Sequence, residues 1–323
     1  MRAVIGEVPH AAIEAARRRL GGLALGTRLL ELAVPGSDCN IAIKLENEQP
    51  AGSFKLRPVA NSLLSKERDT LASGVHTLSS GNSAVALAWM AARLGIPATA
   101  IVPGNAPPHK LRQLRELGAH IVTMHFDDWW QAILAGAAPG VQGLLVDAAR
   151  DAAALAANGT IGLEIVESMD DLDAVFTPFG SGALACGIAC AVRPLRPSVK
   201  IIACELDSAQ PLTAAIAAGK PTTVEYDSGF VSGVGFSSIL PELWPLASRL
   251  IDGTCTVSID EVAAAIRLLS LQAQVTAEGA GAIAVAAALS RRHPYRKVCA
   301  VVSGGNIERA VLVRILAGAP PAK

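Results

Sequence analysis

One lysine lies in a segment whose composition suits covalent chemistry. Lys55 belongs to AGSFKLRP (51–58), where Gly52, Ser53 and Phe54 precede it. A lysine amine attacks a carbonyl group only when it is unprotonated, and desolvation is the usual way to lower its pKa. Small and apolar neighbours favour such a site. Lys55 is therefore the first candidate for covalent catalysis, with a solvated surface lysine as the alternative interpretation.

Three glycine-bearing turns offer places for an anion. Their sequences are LSSGNSA, PFGSGALA and VSGGNIE, at residues 78–84, 178–185 and 302–308. Each combines small side chains with backbone N–H groups at the start of a predicted helix, where the helix dipole favours negative charge. One such turn is common in proteins. Three of them, together with an isolated lysine, indicate a small-molecule site.

Strand-like and helix-like segments alternate through most of the chain. Apolar and β-branched runs predict strands at 41–46, 99–103, 120–124, 174–178, 200–205 and 297–303. Helical periodicity lies between them, at 83–94, 108–117, 183–193, 261–274 and 306–317. This alternation predicts an α/β fold with mostly parallel sheets flanked by helices. Ligands of such sheets bind beyond the carboxyl ends of the strands, where the glycine turns lie.

Length and charge narrow the functional classes. The 323 residues suffice for one large or two medium domains, and 28 basic side chains balance 28 acidic ones. No basic block marks a nucleic-acid or membrane surface. The N-terminal residues show a charged, amphipathic pattern where a signal peptide needs an apolar core. We expect a cytoplasmic protein that acts on a small molecule, without nucleic acid or membrane as partner.

The remaining conspicuous residues receive structural interpretations. The six cysteines contain no CxxC pair and lie in apolar contexts, which predicts buried, reduced thiols. The six histidines show no ligand spacing, so none is assigned to catalysis. The stretch DDWW (127–130) predicts a helix start whose tryptophans pack against the core or an interface.

The turn at 178–185 also supports a dinucleotide-binding interpretation. GSGALA satisfies G-x-G-x-x-A directly after a predicted strand. Glu205 closes the next strand 20 residues after Ala185, where such folds place the acid that holds a ribose. A nicotinamide or flavin enzyme is therefore an alternative. It ranks lower because the motif lies in mid-chain and explains neither Lys55 nor the other two turns.

Seven motifs, taken in order, carry a family resemblance. They are AGSFKLR, SSGNSA, LGIPATAIVPGNAPPHKLRQLRELGA, NGTIGLEI, PFGSGAL, AEGAGA and VSGGN. Over about residues 10–318 the chain resembles the fold-type II pyridoxal-phosphate enzymes of the serine/threonine dehydratase and serine racemase family. The resemblance implies a two-domain fold like that of tryptophan synthase β. Residues 1–65 and 149–323 would form the large cofactor-binding domain, and 66–148 the small domain.

The resemblance implies the cofactor contacts. Lys55 would hold pyridoxal 5'-phosphate as a Schiff base, Asn82 would lie beside the cofactor's 3-oxygen, and Ser303 would face the pyridine nitrogen. A hydroxyl group at that nitrogen makes the ring a milder electron sink, which by the family's logic favours elimination over transamination. The phosphate would be bound by Gly180, Ser181, Gly182, Ala183 and Leu184.

The resemblance also implies the substrate contacts. Four residues would bind the α-carboxylate at a helix start, although capping of that helix explains them equally: Ser79, Ser80, Asn82 and Ser83. Ser80 precedes GN, where the family's racemases place an acid/base on the face opposite the lysine. Glu278 matches a family carboxylate that would assist proton transfer, or it is an ordinary acid at a helix N-terminus.

Two departures from the family pattern concern the pocket and the metal. The common SxGNHxxG is SSGNSAVA here, so Ser83 replaces a histidine and an atypical substrate pocket is expected. In metal-activated members an acidic residue and an Asp six positions later bind a cation. Glu205 matches the first position, but Pro211 stands at the second, so no metal is assigned.

The expected activity is β-elimination by a pyridoxal-phosphate-dependent ammonia-lyase. A β-hydroxy amino acid such as L-threonine or L-serine would give a 2-oxo acid and ammonia. Because Ser80 is retained, an amino-acid racemase is the nearest alternative. No segment for a regulatory domain follows the last predicted helix, so we expect a stand-alone or catabolic homodimer. Phenylserine, hydroxyaspartate and a hydroxyectoine-pathway metabolite remain open as substrates.

Overall fold

The computed structural model contains two sheets, each flanked by helices. It describes residues 4–34, 36, 38–138, 140–227, 229–231, 233–234, 236–319 and 321. The ends of the predicted large domain, 1–3 and 322–323, lie outside the described residues. Among the described residues, no helix is long and apolar enough to cross a membrane. The predicted α/β fold class is confirmed.

Ten strands occur in the described part of the chain. They are β1 (Leu29–Leu32), β2 (Asn40–Leu45), β3 (Val75–Leu78), β4 (Ala98–Pro103), β5 (His120–Met124), β6 (Leu144–Leu145), β7 (Ala174–Pro178), β8 (Lys200–Leu206), β9 (Gly253–Val257) and β10 (Lys297–Val302). Every strand predicted from the sequence lies within one residue of an observed strand at each end. Four strands, β1, β3, β6 and β9, were not predicted from the sequence; the first three have only two to four residues.

Thirteen α-helices and one 3₁₀ turn (Glu46–Glu48) occur in the same residues. The helices are α1 (His10–Leu20), α2 (Leu56–Leu64), α3 (Arg68–Leu71), α4 (Asn82–Leu94), α5 (Pro108–Glu116), α6 (Phe126–Ala135), α7 (Ala152–Ser168), α8 (Ala183–Leu195), α9 (Pro211–Ala218), α10 (Trp244–Leu250), α11 (Ile259–Gln272), α12 (Gly279–Leu289) and α13 (Arg309–Leu316). Helix α11 begins two residues before its predicted start, because Ser258 and Glu261 form a capping box.

The two sheets direct their carboxyl ends toward one cleft. The large sheet has the order β1-β2-β10-β7-β8-β9, with β1 antiparallel to β2 and the other pairs parallel. The small sheet, β5-β4-β3-β6, is parallel. The glycine turns follow β3, β7 and β10, so parallel pairing brings them together at the strand ends. The domain boundaries at 65/66 and 148/149 stay a prediction.

Close packing of α7 against α8 fixes the turn that precedes α8. A Cβ atom at Gly187 would lie 2.6 Å from Asn158 Cβ and 2.7 Å from the Leu155 carbonyl oxygen, so only glycine allows this approach. Asn158 Nδ2 also donates a hydrogen bond of 3.1 Å to the Ala183 carbonyl oxygen. The start of α8 is therefore anchored to α7 by both packing and a side-chain hydrogen bond.

Arg57 centres a buried charged cluster behind Lys55. Arg57 is 2% exposed and donates from Nε to Glu46 Oε2 at 2.8 Å and from Nη1 to Glu164 Oε1 at 2.6 Å. Lys44 Nζ donates to Glu164 Oε2 at 2.5 Å. Burial alone would raise the pKa of Glu46, but the charge and hydrogen bonds of Arg57 hold it below the usual value. The cluster ties α2 to β2, the 3₁₀ turn and α7.

Replacing the central cation tests whether this cluster supports the fold. Arg57→Met would leave the buried Glu46 without its cationic partner and the partly buried Glu164 with Lys44 alone, and breaking a buried ion pair costs about 3–5 kcal/mol. We expect the free energy of unfolding, measured by urea titration, to fall by about that amount. Arg28→Met is the control because it removes an exposed pair with Glu48 and should leave the titration unchanged. Equal effects of the two substitutions would contradict a structural role for the cluster.

Candidate active site

A cleft of about 330 Å³ opens between the two sheets. Its lining includes the turns after β3, β7 and β10 and residues of α5 and α6. The cleft brings together these sequence-predicted site residues: Lys55, Ser79, Ser80, Asn82, Ser83, Gly180, Ser181, Gly182, Leu184, Glu278 and Ser303. Ala183 does not line the cleft, because its side chain is buried in the core as the first residue of α8.

Lys55 precedes the first residue of α2 and reaches the cleft from its floor. The amine Nζ lies 4.8 Å from the centre of the Phe54 ring. Burial lowers the pKa of Lys55 to about 8, and the nearby charge of Asp147 opposes that shift. The amine can therefore lose its proton near neutral pH, which a nucleophilic lysine requires.

Backbone hydrogen bonds hold the Lys55 segment against the turn after β10. The Phe54 amide donates to the Ser303 carbonyl oxygen at 2.9 Å, and Ser53 forms an isolated antiparallel bridge with Gly304. A Cβ atom at Gly304 would lie 3.1 Å from Ser53 Cβ, so a larger residue would push the two segments apart. These contacts fix the position of Lys55 relative to Ser303.

The Asn82 side chain has partners at both ends. Its Oδ1 accepts a 2.8 Å hydrogen bond from Asn306 Nδ2, which also donates to the Ala51 carbonyl oxygen at 3.0 Å. Its Nδ2 donates to Glu278 Oε1. Burial raises the pKa of Glu278 to about 7, against the opposing effects of this hydrogen bond and of the Lys110 charge. Glu278 can therefore take up or release a proton near neutral pH.

The turn before α4 presents hydroxyl groups beside a helix N-terminus. The Gly81 amide donates to Ser79 Oγ at 3.1 Å, and α4 begins at the next residue, Asn82. Ser80 and Ser83 also line the cleft. The first amides of a helix have no carbonyl partner within it, and the dipole there favours negative charge. A carboxylate fits this turn.

The turn before α8 forms a second anion cradle. Gly182 has φ of 92°, a left-handed conformation that glycine adopts without strain. A Cβ atom at Gly180 would lie 3.0 Å from the Gly233 carbonyl oxygen, so the turn has no room for a larger residue. Ser181 adds a hydroxyl group to the helix amides at this end of the cleft. The free amides of a helix start and one hydroxyl group suit an anion with several acceptor oxygens, such as a phosphate.

A family model described as pyridoxal-phosphate dependent enzyme matches residues 22–304. The chain belongs to this family. The match runs through both the GSGALA turn and Glu205, so the dinucleotide-binding interpretation is wrong, and the predicted cofactor, pyridoxal 5'-phosphate, is confirmed.

Two relatives and one solved structure show the extent of the similarity. An L-threonine ammonia-lyase of Thermotoga maritima is 34% identical over 279 residues, 85% of this chain and 69% of that protein. A serine racemase of Oryza sativa subsp. indica is 31% identical over 278 residues, 83% of this chain and 81% of that protein. The structure of maize serine racemase has a TM-score of 0.86 at 27% identity, covering 97% of this chain and 98% of that one.

The cleft residues fit the family's cofactor. The turn before α8 offers glycine backbone and a serine hydroxyl to a phosphate, and Lys55 offers a desolvated amine to an aldehyde. Ser303, 4% exposed at the carboxyl end of β10, lines the cleft and donates from Oγ to the Ala280 carbonyl oxygen at 3.3 Å. A phosphate cradle, an amine and a hydroxyl group are the chemical complements of the three polar ends of pyridoxal 5'-phosphate.

Glu205 has a structural role in this enzyme. Its Oε1 accepts from the Leu212 amide at 2.7 Å, and its Oε2 accepts from the Thr213 amide at 3.0 Å and from Thr213 Oγ1 at 2.7 Å. The carboxylate thus caps α9, which begins at Pro211, and the ribose-binding role considered for it is wrong. Among the residues that the structure describes, no group of three or more His, Cys, Asp or Glu side chains could hold a metal ion.

The cleft also contains residues that sequence reasoning missed or misplaced. DDWW does lie in the first turn of α6, but Trp129 and Trp130 line the cleft instead of packing in the core. Asp147 and Arg150 enter the cleft from the loop before α7, and Lys110 enters it from α5. These segments carry no glycine motif, so only the folded structure shows their proximity to Lys55.

The lowered pKa of Lys55 predicts a pH-dependent cost to stability. Below pH 8 the amine is protonated in both the folded and unfolded cofactor-free enzyme, and its burial cost, about 3 kcal/mol at most, is fully present. Between pH 8 and about pH 10.5, the ordinary pKa of a lysine, the folded state loses the proton before the unfolded state does. The burial cost therefore disappears over this pH range. Cofactor-free Lys55→Met should therefore be more stable than wild type at pH 7, with the difference shrinking toward pH 10.5.

Urea unfolding of both proteins between pH 7 and 10 measures this difference. Lys66→Met, at an exposed position, is the matched control and should show the wild-type pH profile. A stability difference for Lys55→Met that stays constant across the pH range would contradict the desolvated state of the amine.

Proposed function

We propose that the enzyme catalyses β-elimination of a β-hydroxy amino acid, such as L-threonine or L-serine, to a 2-oxo acid and ammonia. One observation carries the proposal: the desolvated amine of Lys55 lines the same cleft as two helix N-termini suited to anions. A cofactor phosphate and a substrate carboxylate can thus be bound in the same cleft as this amine. The similarity to an L-threonine ammonia-lyase supports the reaction type.

The proposed cofactor contacts come from the family resemblance, and the presence of these residues in one cleft supports them. Lys55 would bind the aldehyde, Asn82 would lie beside the 3-oxygen, and Ser303 would face the ring nitrogen. The turn before α8 would hold the phosphate through Gly180, Ser181, Gly182 and Leu184, which line the cleft, and through the backbone amide of Ala183. When bound, the cofactor supplies an electron-withdrawing ring that stabilises negative charge on the substrate α-carbon.

The proposed substrate contacts use the turn before α4. The α-carboxylate accepts hydrogen bonds at this helix start from Ser79, Ser80, Asn82 and Ser83. Once the substrate amine has replaced it at the aldehyde, the free and neutral Lys55 amine would take the α-proton, which its pKa of about 8 allows. Glu278, with a pKa of about 7, is the second proton-transfer group of the cleft and can protonate the departing hydroxyl group.

Racemisation is the second candidate because Ser80 lies in the same cleft as Lys55. A hydroxyl group on the face opposite the amine would return a proton to the other side of the α-carbon. The similarity to a serine racemase supports this candidate. Elimination ranks first because Ser83 replaces the family's histidine and Glu205 is committed to capping α9.

We also propose a cytoplasmic homodimer that acts on a free amino acid, without nucleic acid or membrane as partner. The homodimer rests on the family resemblance. Equal numbers of basic and acidic residues, 28 each, argue against a polyanionic partner. Five of the six cysteines are buried in helices or strands, which suits a reducing compartment. Light scattering of the purified enzyme would measure the oligomeric state.

The proposed role of Lys55 predicts a loss of chemistry without a loss of fold. Lys55→Ala should reduce 2-oxo acid release from L-threonine to background, while its circular dichroism spectrum stays that of wild type. Steady-state assays with purified protein provide the measurement. Turnover near the wild-type rate would contradict the mechanism.

Substitution of Ser80 separates the lyase from the racemase. If elimination dominates, Ser80→Ala loses one hydrogen bond to a charged group, about 1–3 kcal/mol, and kcat/KM falls mainly through KM. Ser83→Ala, in the same turn, is the matched control and should behave similarly. In a racemase, Ser80→Ala would instead abolish interconversion of enantiomers and spare 2-oxo acid formation from the L-substrate.

The measurement follows oxo-acid release and enantiomer ratio together for both enantiomers of serine and threonine. The choice of lyase would be overturned by one result: wild type racemises rapidly, Ser80→Ala selectively loses this activity, and Ser83→Ala retains it.

A further inference from the structure

One side of the cleft carries apolar side chains that the proposed contacts leave unused. Trp129, Trp130 and Ile133 line it from α6, and Phe236 and Leu240 line it from the segment between α9 and α10. We call these five residues the aromatic wall. The chain has only four Trp, two Tyr and six Phe, so the presence of three of these aromatic residues in one wall requires a physical explanation.

The tryptophans of the wall are held in position. Trp129 Nε1 donates a 2.9 Å hydrogen bond to the Ile101 carbonyl oxygen of β4. The rings of Trp130 and Phe236 lie 6.4 Å apart between their centres, at an interplanar angle of 48°. Both tryptophans remain partly accessible. Fixed, partly exposed rings inside a cleft are the usual means of binding an apolar ligand group.

Arg150 fixes the end of α6 that carries the wall. It donates from Nη1 to Asp147 Oδ2 at 2.9 Å and to the Ile133 carbonyl oxygen at 3.2 Å, and from Nε to Glu242 Oε1 at 3.4 Å. The helix end is thus tied to the loop before α7 and to the segment before α10. Because two carboxylates compensate Arg150, it offers little attraction to an acidic substrate side chain.

The other basic side chains of the described cleft lining also have acidic neighbours. His109 Nδ1 lies 3.4 Å from Glu308 Oε2, and the charge of Glu278 acts on Lys110. In the described part of the cleft, each basic side chain therefore already has an acidic neighbour besides any carboxylate that a substrate would bring. This arrangement argues against hydroxyaspartate and leaves the apolar wall as the dominant feature available to the substrate side chain.

The wall adjoins the cofactor cradle. A Cβ atom at Gly180 would lie 3.8 Å from Phe236 Cδ2, and Trp130 lies next to Phe236. Trp129 is hydrogen-bonded to β4, which lies beside β3 in the small sheet. Strand β3 leads into the turn before α4 that carries Ser79 and Ser80. A substrate held by its carboxylate at that turn, with its α-carbon at Lys55, has this wall as its apolar boundary.

We infer that the aromatic wall binds the β-substituent of the substrate, and that the enzyme prefers β-hydroxy amino acids with an aromatic substituent, such as L-threo-phenylserine, over L-threonine and L-serine. The inference rests on the proposed elimination at Lys55. Replacing the methyl group of threonine by a phenyl ring adds apolar surface that the wall removes from water. The expected advantage in kcat/KM is about 10- to 100-fold.

Substrate competition on the holoenzyme tests the preference. We would measure kcat/KM for 2-oxo acid release from L-threo-phenylserine, L-threonine and L-serine. Trp130→Leu and Phe236→Leu should lower the phenylserine-to-threonine ratio about tenfold, because each removes an aromatic ring. Trp89→Leu is the matched control, since Trp89 stacks with Arg93 on α4 outside the cleft lining, and it should keep the wild-type ratio.

Calorimetric binding of L-phenylalanine and L-alanine gives a readout that does not depend on elimination, because neither ligand has a β-hydroxyl group. Wild-type holoenzyme should bind L-phenylalanine about tenfold more tightly, and Trp130→Leu should lose that difference. If no β-hydroxy amino acid releases a 2-oxo acid, the proposed function fails, while the binding preference still tests the wall. Turnover of L-threonine with no aromatic preference in either measurement would overturn the inference and leave the proposed function standing.

Discussion

The site depends on two basic residues, Lys55 and Arg57, that lie two positions apart in sequence but need different protonation states. Lys55 must be able to lose its proton, whereas Arg57 stays charged in the interior. The start of α2 separates them, because Lys55 faces the cleft and Arg57 turns toward Glu46 and Glu164. Those carboxylates offset a desolvation cost that would otherwise destabilise the fold. The ion cluster therefore anchors the start of α2, next to the Lys55 amine, through contacts that lie behind the cleft.

The cleft is assembled from segments that are distant in sequence. Parallel pairing places the ends of β7 and β10 side by side, and the turn after β3 faces them from the small sheet. Gly187 lets α8 approach α7, and Gly304 lets the turn after β10 approach Ser53. Small residues at these points bring two anion cradles and one amine into a single cleft. The glycines around the site therefore act by allowing close approach of the backbone segments.

Local sequence patterns predicted most of the strands and helices. The side-chain partners and the shortest strands depend on tertiary packing, which the sequence does not show. Long apolar runs such as KVCAVV of β10 predicted their strands, whereas β6 has only two residues and VHTL of β3 is mixed. Helix α13 starts at Arg309 instead of 306, after the turn in which Asn306 holds Asn82. Sequence spacing could not show that Glu205 caps α9 or that Trp130 meets Phe236, because such partners are chosen by the fold.

Borohydride reduction of the holoenzyme, followed by peptide mapping, tests the central claim most directly. The account predicts a stable pyridoxyl group on Nζ of Lys55 and on no other lysine. Lys44 is an internal control, since it is buried outside the cleft lining and paired with Glu164, and it should remain unlabelled. A label on Lys44 or on another lysine, or no label on a cofactor-loaded protein, would contradict the assignment of this cleft as the catalytic site.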